Sequence, residues 1–203
     1  MKDVLKKICI ATCVAAAAAV STGGVQAADD KKWVRLDACR YIADKNNDGD
    51  SFLVQCGREK FYARFYFIDA PESDVTFPER VRQQYDYFGV TMDELTRGGA
   101  QAREYVQRTL STRPFVVHTR HSSAQGRAKT VRYYSLVEVD GRYLHEVMLS
   151  EGLARNFGTR VTLPTGQKGK AYAAALAQLE ERARLQRRGL WATSDPAKRK
   201  SPL

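Results

Sequence analysis

The segment Phe61-Tyr62-Ala63-Arg64-Phe65-Tyr66-Phe67-Ile68 constrains this chain most. Aromatic and branched side chains favour a half-buried pleated surface, so the segment predicts a strand. In a strand, Arg64 shares a face with Tyr62, Tyr66 and Ile68. A buried guanidinium without a partner is costly. Arg64 must therefore reach solvent, or a carboxylate or phosphate in a cleft. The strand has to stop at Asp69-Ala70-Pro71-Glu72, because Pro71 excludes its predecessor from helical geometry and breaks the ladder. The result is a strand that delivers an Arg and then a loop bearing two carboxylates.

A second acidic loop, Asp48-Gly49-Asp50, lies between the preceding strand-like segments Trp33–Ile42 and Ser51–Cys56. Carboxylates at neighbouring strand ends can converge on a hard cation such as calcium or magnesium. Asp-Gly is also plain turn chemistry, and either loop alone is explained that way. Asp44, Asn46, Asp48, Gly49 and Asp50 match the opening of an EF-hand loop. The twelfth position is Gln55 where a bidentate Glu is needed, however, and a strand follows rather than a helix. A second Arg, Arg132, stands in Val131-Arg132-Tyr133-Tyr134-Ser135-Leu136-Val137 much as Arg64 does. An Arg on an exposed edge strand accounts for each residue singly. Two of them beside two acidic loops fit metal-assisted phosphoryl chemistry, in which cations neutralise the charge that grows on a phosphodiester. His118, His121 and His145 are too dispersed for a zinc site.

Further along, Glu79–Tyr87 predicts a short helix, Thr91 a second helix start and Ala100–Leu110 a helix. Pro114–Thr119 and Val131–Val139 read as strands, and Asp140-Gly141 as a tight turn. Tyr143–Glu151 predicts a short helix closed by Gly152, and Ala171–Arg188 a longer one closed by Gly189. The residues after Ala192, with Lys198-Arg199-Lys200, read as a loose basic tail over 193–203. There is no internal repeat. The order predicts an α+β domain, most economically a five-stranded barrel with about three helices packed at its side.

Residues 1–27 stand apart from this domain. Lys2, Lys6 and Lys7 precede an apolar run from Ile8 to Val20 and a small-residue site ending at Ala27, the pattern of a secretory signal peptide. The run is short for a membrane span. Cleavage after Ala27 and a secreted or periplasmic mature protein are expected. Lys plus Arg number 33 against 23 acidic residues, a net charge of +10; the first 27 residues hold three Lys and one Asp, so the excess survives their loss. Polyanions are the natural partners of such a surface. Cys39 and Cys56 remain in an oxidising compartment; if their flanks pair as strands they can form a disulfide, and two buried thiols are the alternative.

Asp48-Gly49-Asp50-Ser51-Phe52, the unit Arg64 to Glu72, Asp140-Gly141, Glu151-Gly152-Leu153-Ala154 and Gly189-Leu190-Trp191 together resemble the staphylococcal nuclease (thermonuclease) family over about residues 33–192. The resemblance implies an OB-fold barrel within residues 28–192. It also implies a calcium-dependent nuclease acting on DNA and RNA and leaving 3′-phosphate ends; a monomer is expected. Carried over, Asp50 and Asp69 would bind Ca2+ through carboxylates and Ala70 through its backbone carbonyl, with Asp48 behind them. Glu72 would be the general base and Arg64 would clamp the phosphate. Counting back without a gap from Asp140-Gly141 places the second catalytic Arg at Arg132. Gln125-Gly126-Arg127 resembles the family tripeptide better, which makes Arg127, with Lys129, the second choice for phosphate contacts. The segment after Glu72 is long for the family, so residues 73–99 read as an insertion near the site mouth. The family's nucleotide-stacking aromatic pair is replaced by Arg155-Asn156-Phe157-Gly158.

Overall fold

In the computed structural model, which describes residues 31–124 and 130–200, the strands and helices follow in this order. First come β1 (Val34–Leu36), β2 (Cys39–Tyr41), β3 (Ser51–Cys56), β4 (Glu59–Phe65) and β5 (Ile68–Asp69). Then come α1 (Pro78–Phe88), α2 (Met92–Thr112), β6 (Phe115–Ser123), β7 (Arg132–Val139), β8 (Arg142–Tyr143), α3 (Leu144–Ser150), β9 (Arg155–Asn156) and α4 (Gly169–Leu185). Residues 1–27 with the expected cleavage point, and Arg127 and Lys129, lie outside the described residues.

The aromatic segment is central, as its composition requires. β4 pairs antiparallel with β3 and parallel with β7. The main sheet runs β1-β6-β7-β4-β3-β2, with β8 added to β7, and β5 pairs separately with β9. The fold is α+β, but its strands exceed the expected five, its α-helices number four among the described residues, and the hydrogen-bonded path has two ends. A closed barrel is therefore not what the pairing shows. The expected single strand Trp33–Ile42 explains the difference. It breaks at Asp37-Ala38, where Ala38 has φ 52°, so that its first half pairs with β6 and its second half with β3. One segment thus borders both edges of the sheet. The second half sets Cys39 opposite Cys56, and their sulfurs are bonded at 1.96 Å.

The main core lies under this sheet and includes Phe52, Phe61, Phe65, Val117, Leu136, Met148 and Leu176. A second core joins Val81 and Phe88 of α1 to Val90, Leu95, Ala183, Leu190 and Trp191. The Phe88 and Trp191 rings meet at 4.8 Å, tilted by 50°, and burying such rings contributes about 2–3 kcal/mol each. Residues 73–99, expected as an insertion, thereby form α1 and the start of α2 and are anchored to the chain's C-terminal part. The tail is less loose than its composition suggested, since Asp195 N donates to Gly89 O and Lys200 N to Asp86 O, each at 2.8 Å.

α2 also departs from expectation by running unbroken through Gly98-Gly99. Its start is fixed by a reciprocal capping box between Thr91 and Glu94. The glycines are there for close approach. A Cβ at Gly99 would lie 2.5 Å from the carbonyl oxygen of Glu72, and one at Gly98 would meet Leu190. α2 can therefore press directly on the Pro71-Glu72 loop, which becomes a rigid floor.

Candidate active site

Arg64 leaves β4 between β3 and β7, with its Cα opposite Ser51 on one side and Tyr134 on the other. Its guanidinium lies 2.9 Å from Asp50 Oδ1 and 3.3 Å from Asp69 Oδ1. Burial works against the Arg64 charge, but Asp50 and Asp69 beside it raise its pKa overall. Arg132 begins β7, two residues from Tyr134. Its guanidinium sits 5.7 Å over the Tyr62 ring, and its Nε is buried with no hydrogen-bond partner among the described residues. Burial, then the charge of Arg64, lower the Arg132 pKa.

Arg64, Arg132, Glu72 and Asp48 line one cleft of about 790 Å³, which Arg80 and Arg103 also enter. Asp50 and Asp69 are buried behind that lining, 1% and 3% exposed, where both pair with Arg64. The Asp50 Oδ2 accepts from Ala70 N at 3.1 Å, which ties the two acidic loops together. Asp69 is the most heavily partnered group in the site. Its Oδ1 meets Arg64 and Arg80, the latter at 2.7 Å. Its Oδ2 accepts from Gln84 Nε2 at 2.8 Å and from Arg155 Nε at 2.9 Å. Arg80 bridges onward to Glu72 Oε1 at 2.8 Å.

Of the other three carboxylates, Asp50 pairs with Arg64 and Glu72 with Arg80, while Asp48 makes no ion pair among the described residues. Burial, then repulsion from Asp50, pushes the Asp48 carboxyl up to about 7. Burial raises Asp50, with Asp69 adding to the shift and Arg64 opposing it. Burial also raises Glu72, against the pull of Arg80. Elevated carboxylates crowded beside two guanidinium groups in a cleft mark a functional-site candidate.

A family model described as Staphylococcal nuclease homologue matches residues 63–193. The chain belongs to this family. No curated protein matches the chain. Nucleases of this family typically use calcium. The matched span contains Arg64, Asp69, Glu72 and Arg132, while Asp48 and Asp50 precede it and are joined to it by the Asp50–Ala70 hydrogen bond.

The donor chemistry fits a hard divalent cation in part. Asp48, Asp50 and Glu72 are oxygen donors whose carboxyls burial raises, and a hard divalent cation favours their charged form. Two ligand atoms implied by the family resemblance are engaged otherwise, because Gln84 Nε2 donates both to Asp69 Oδ2 and to the Ala70 carbonyl, the latter at 2.9 Å. Among the described residues no cluster of three or more His, Cys, Asp or Glu is arranged to hold a metal ion. The EF-hand alternative loses its geometry. Asp44 Oδ1 accepts from Asn46 N and the Tyr62 hydroxyl, and Gln55 lies in β3 opposite Lys60.

Sequence reasoning missed Arg80, Gln84 and Arg155. Gln84 is fully buried, and its Oε1 also accepts from Glu72 N at 2.8 Å. Nothing in Arg82-Gln83-Gln84 marks one amide as buried beneath the Asp69–Glu72 loop. Arg155 did leave a signal, since an Arg directly after apolar Gly152-Leu153-Ala154 at a buried position demands a carboxylate. The histidines take ordinary places: His118 pairs with Glu138, His121 with Glu59, and His145 is buried against Tyr172.

Proposed function

We propose that the chain is an exported calcium-dependent nuclease that hydrolyses internal phosphodiester bonds of DNA and RNA and leaves 3′-phosphate ends. The observation that carries this reading is the cleft in which Arg64, Arg132 and Glu72 face one space, with Asp50 and Asp69 buried behind them. Arg64 and Arg132 neutralise the scissile phosphate as negative charge grows on it, and Arg64 does so more strongly for being largely withdrawn from water. Glu72, with its raised pKa, accepts a proton from the attacking water. The water oxygen bonds to phosphorus, the bond to the 5′ oxygen breaks, and that oxygen takes up a proton from solvent. Calcium, held by Asp50, Asp69 and the Ala70 carbonyl with Asp48 behind them, supplies Lewis-acid polarisation when bound. Gln84 must give up at least one of its two hydrogen bonds for that set to assemble. The N-terminal 27 residues support export, and no described helix is long and apolar enough to cross a membrane.

The second reading is a basic nucleic-acid-binding protein without turnover, and the ion pair of Arg80 with Glu72 favours it, because it occupies the base. Incubation of the chain beginning at Ala28 with single-stranded DNA, with calcium and then with chelator, decides between them. Calcium-dependent cleavage to 3′-phosphate ends is expected, as is a monomer on a sizing column. Binding without cleavage in either condition would leave the second reading.

A further inference from the structure

A second groove, of about 700 Å³, lies on the other side of β7 from the cleft, between β1, β6 and the loop that follows β9. Its cations are Lys31, Lys32, Arg120 and Arg160, and no Asp or Glu lines it. Neutralisation in place is absent here, whereas the candidate active site is crowded with carboxylates. Lys32 and Arg160 are exposed and make no hydrogen bond or ion pair among the described residues. The groove also has an aromatic wall. Trp33 meets Tyr66 edge-on at 5.9 Å, and Tyr66 stacks on Tyr134 at 4.9 Å. The walls are tied together, since Trp33 Nε1 donates to Thr162 O at 3.0 Å and Arg120 Nε donates to Lys31 O.

The groove continues toward the cleft. Tyr134 and Thr159 line both it and a smaller cavity of about 290 Å³, whose far wall is Arg64, Asp69 and Arg80. Arg64 and Arg80 in turn line the cleft. Because Tyr134 is the register partner of Arg64, the track starts one strand away from the phosphate clamp.

We propose that this groove is a subsite for the flanking nucleotides of single-stranded nucleic acid. Phosphates sit on Lys32, Arg120 and Arg160, and unstacked bases lie against Trp33 and Tyr134. The assignment to single strands follows from the chemistry, because an aromatic wall can stack only on bases freed from a duplex, whereas cations alone accept either form. It deepens the nuclease reading and rests on it for the direction of the strand, but binding in the groove is measurable without turnover.

The test uses the chain from Ala28, an oligothymidylate of ~12 nucleotides, within the site size of such grooves, and a dinucleotide substrate. Binding is followed in chelator by tryptophan emission. The chain has two Trp, and Trp191 is buried in the second core, so quenching reports Trp33. The double variant Lys32→Ser, Arg160→Ser removes two exposed cations without a structural partner. Its affinity for the long oligonucleotide should fall about 10-fold. Its log–log salt slope should shrink by about 1.4, at ~0.7 per phosphate contact. The KM of the long substrate should rise in parallel, with the dinucleotide moving less than about 2-fold. Unchanged affinity and salt slope in the variant would overturn the subsite, as would oligonucleotide binding that leaves Trp33 emission unaltered. Equal losses on a blunt duplex of the same length would overturn the single-strand assignment. Wild-type chain that binds and quenches but never cleaves, with binding lost in the variant, would uphold the subsite and overturn the nuclease reading instead.

Discussion

Asp69 and Asp48 are two carboxylates of one site treated in opposite ways. Asp69 is held by Arg64, Arg80, Arg155 and Gln84. Asp48 has the backbone N–H of Gly49 at 2.8 Å and otherwise faces Asp50 and Glu72 as like charges, with Arg64 only weakly opposing them. Both are withdrawn from water, so the contrast lies in partners rather than in burial alone. Asp69 is a structural node whose four donors come from three elements of the chain, β4, α1 and β9. Asp48 carries a charge with no ion-pair partner among the described residues, which a cation or a proton can balance. Within one site the molecule separates the charge that holds the floor together from the charge left over for chemistry.

The sharpest way to break that contrast is Asp69→Asn. It leaves Arg155, itself only 3% exposed, buried without its counter-charge, and loss of one partner of such a pair costs about 3–5 kcal/mol. Urea unfolding should show a loss of that size, and a loss under ~1 kcal/mol would deny Asp69 its structural role. Next in size is Arg132→Lys, which keeps charge and loses the planar fork. Turnover at saturating DNA should fall two to three decades, about 3–4 kcal/mol of transition-state stabilisation. Arg127→Lys should only weaken binding, modestly and in a salt-dependent way. If Arg127→Lys abolishes turnover while Arg132→Lys does not, the wrong Arg has been placed in the cleft.

His145 is the control for burial without a charged partner of its own. Burial alone lowers it to about 3. Its ring contacts the Tyr172 hydroxyl, which donates to Glu146, and Tyr143 stacks on it. Because the folded pKa lies below the unfolded one, the unfolded chain takes up the proton first. Stability is therefore whole above about pH 6.5 and falls as pH drops toward 3. Between about pH 7 and pH 5 this residue should account for ~2 kcal/mol of acid destabilisation. That share should vanish in His145→Gln, measured as the difference between the two proteins' urea midpoints at each pH.

The smallest effect has the opposite sign. A carboxyl raised in the folded state favours folding below its unfolded pKa and loses that contribution as pH rises toward about 7, the Asp48 value. Ionised Asp48 thus opposes folding in neutral, calcium-free solution. Asp48→Asn should stabilise the chain there by roughly 1 kcal/mol, and calcium should raise the thermal midpoint of the wild type more than that of the variant. Destabilisation by Asp48→Asn would place Asp48 in the same class as Asp69.

Much of this cleft was legible in the residues. Arg64 inside an aromatic strand, Pro71 ending it, and Asp-Gly at a turn each follow from local rules about backbone geometry and burial. Arg132, reached by counting back along one strand from the turn at Asp140-Gly141, begins β7 and lines the cleft. Gly98-Gly99 misled for the same local reason, since glycine's propensity argues against a helix and only the approach of Glu72 and Leu190 explains one there. The kink at Ala38 was equally invisible, because it serves an edge of the sheet that does not exist until β6 and β3 are in place.

The sequence by itself determined which chemistry is available: two guanidiniums from strands, four carboxylates from two loops, a basic chain and a pair of cysteines. Those are properties of residue type and of neighbours along the chain. Only the tertiary structure decided which carboxylates pair with a guanidinium. The partners of Asp69 come from β4, α1 and β9, with Arg155 removed from it by 86 positions. The groove of Lys32, Trp33, Arg120, Tyr134 and Arg160 is likewise gathered from separate strands and a loop. Electrostatic and stacking energies depend on distance and on exclusion of water, and neither exists until the elements pack.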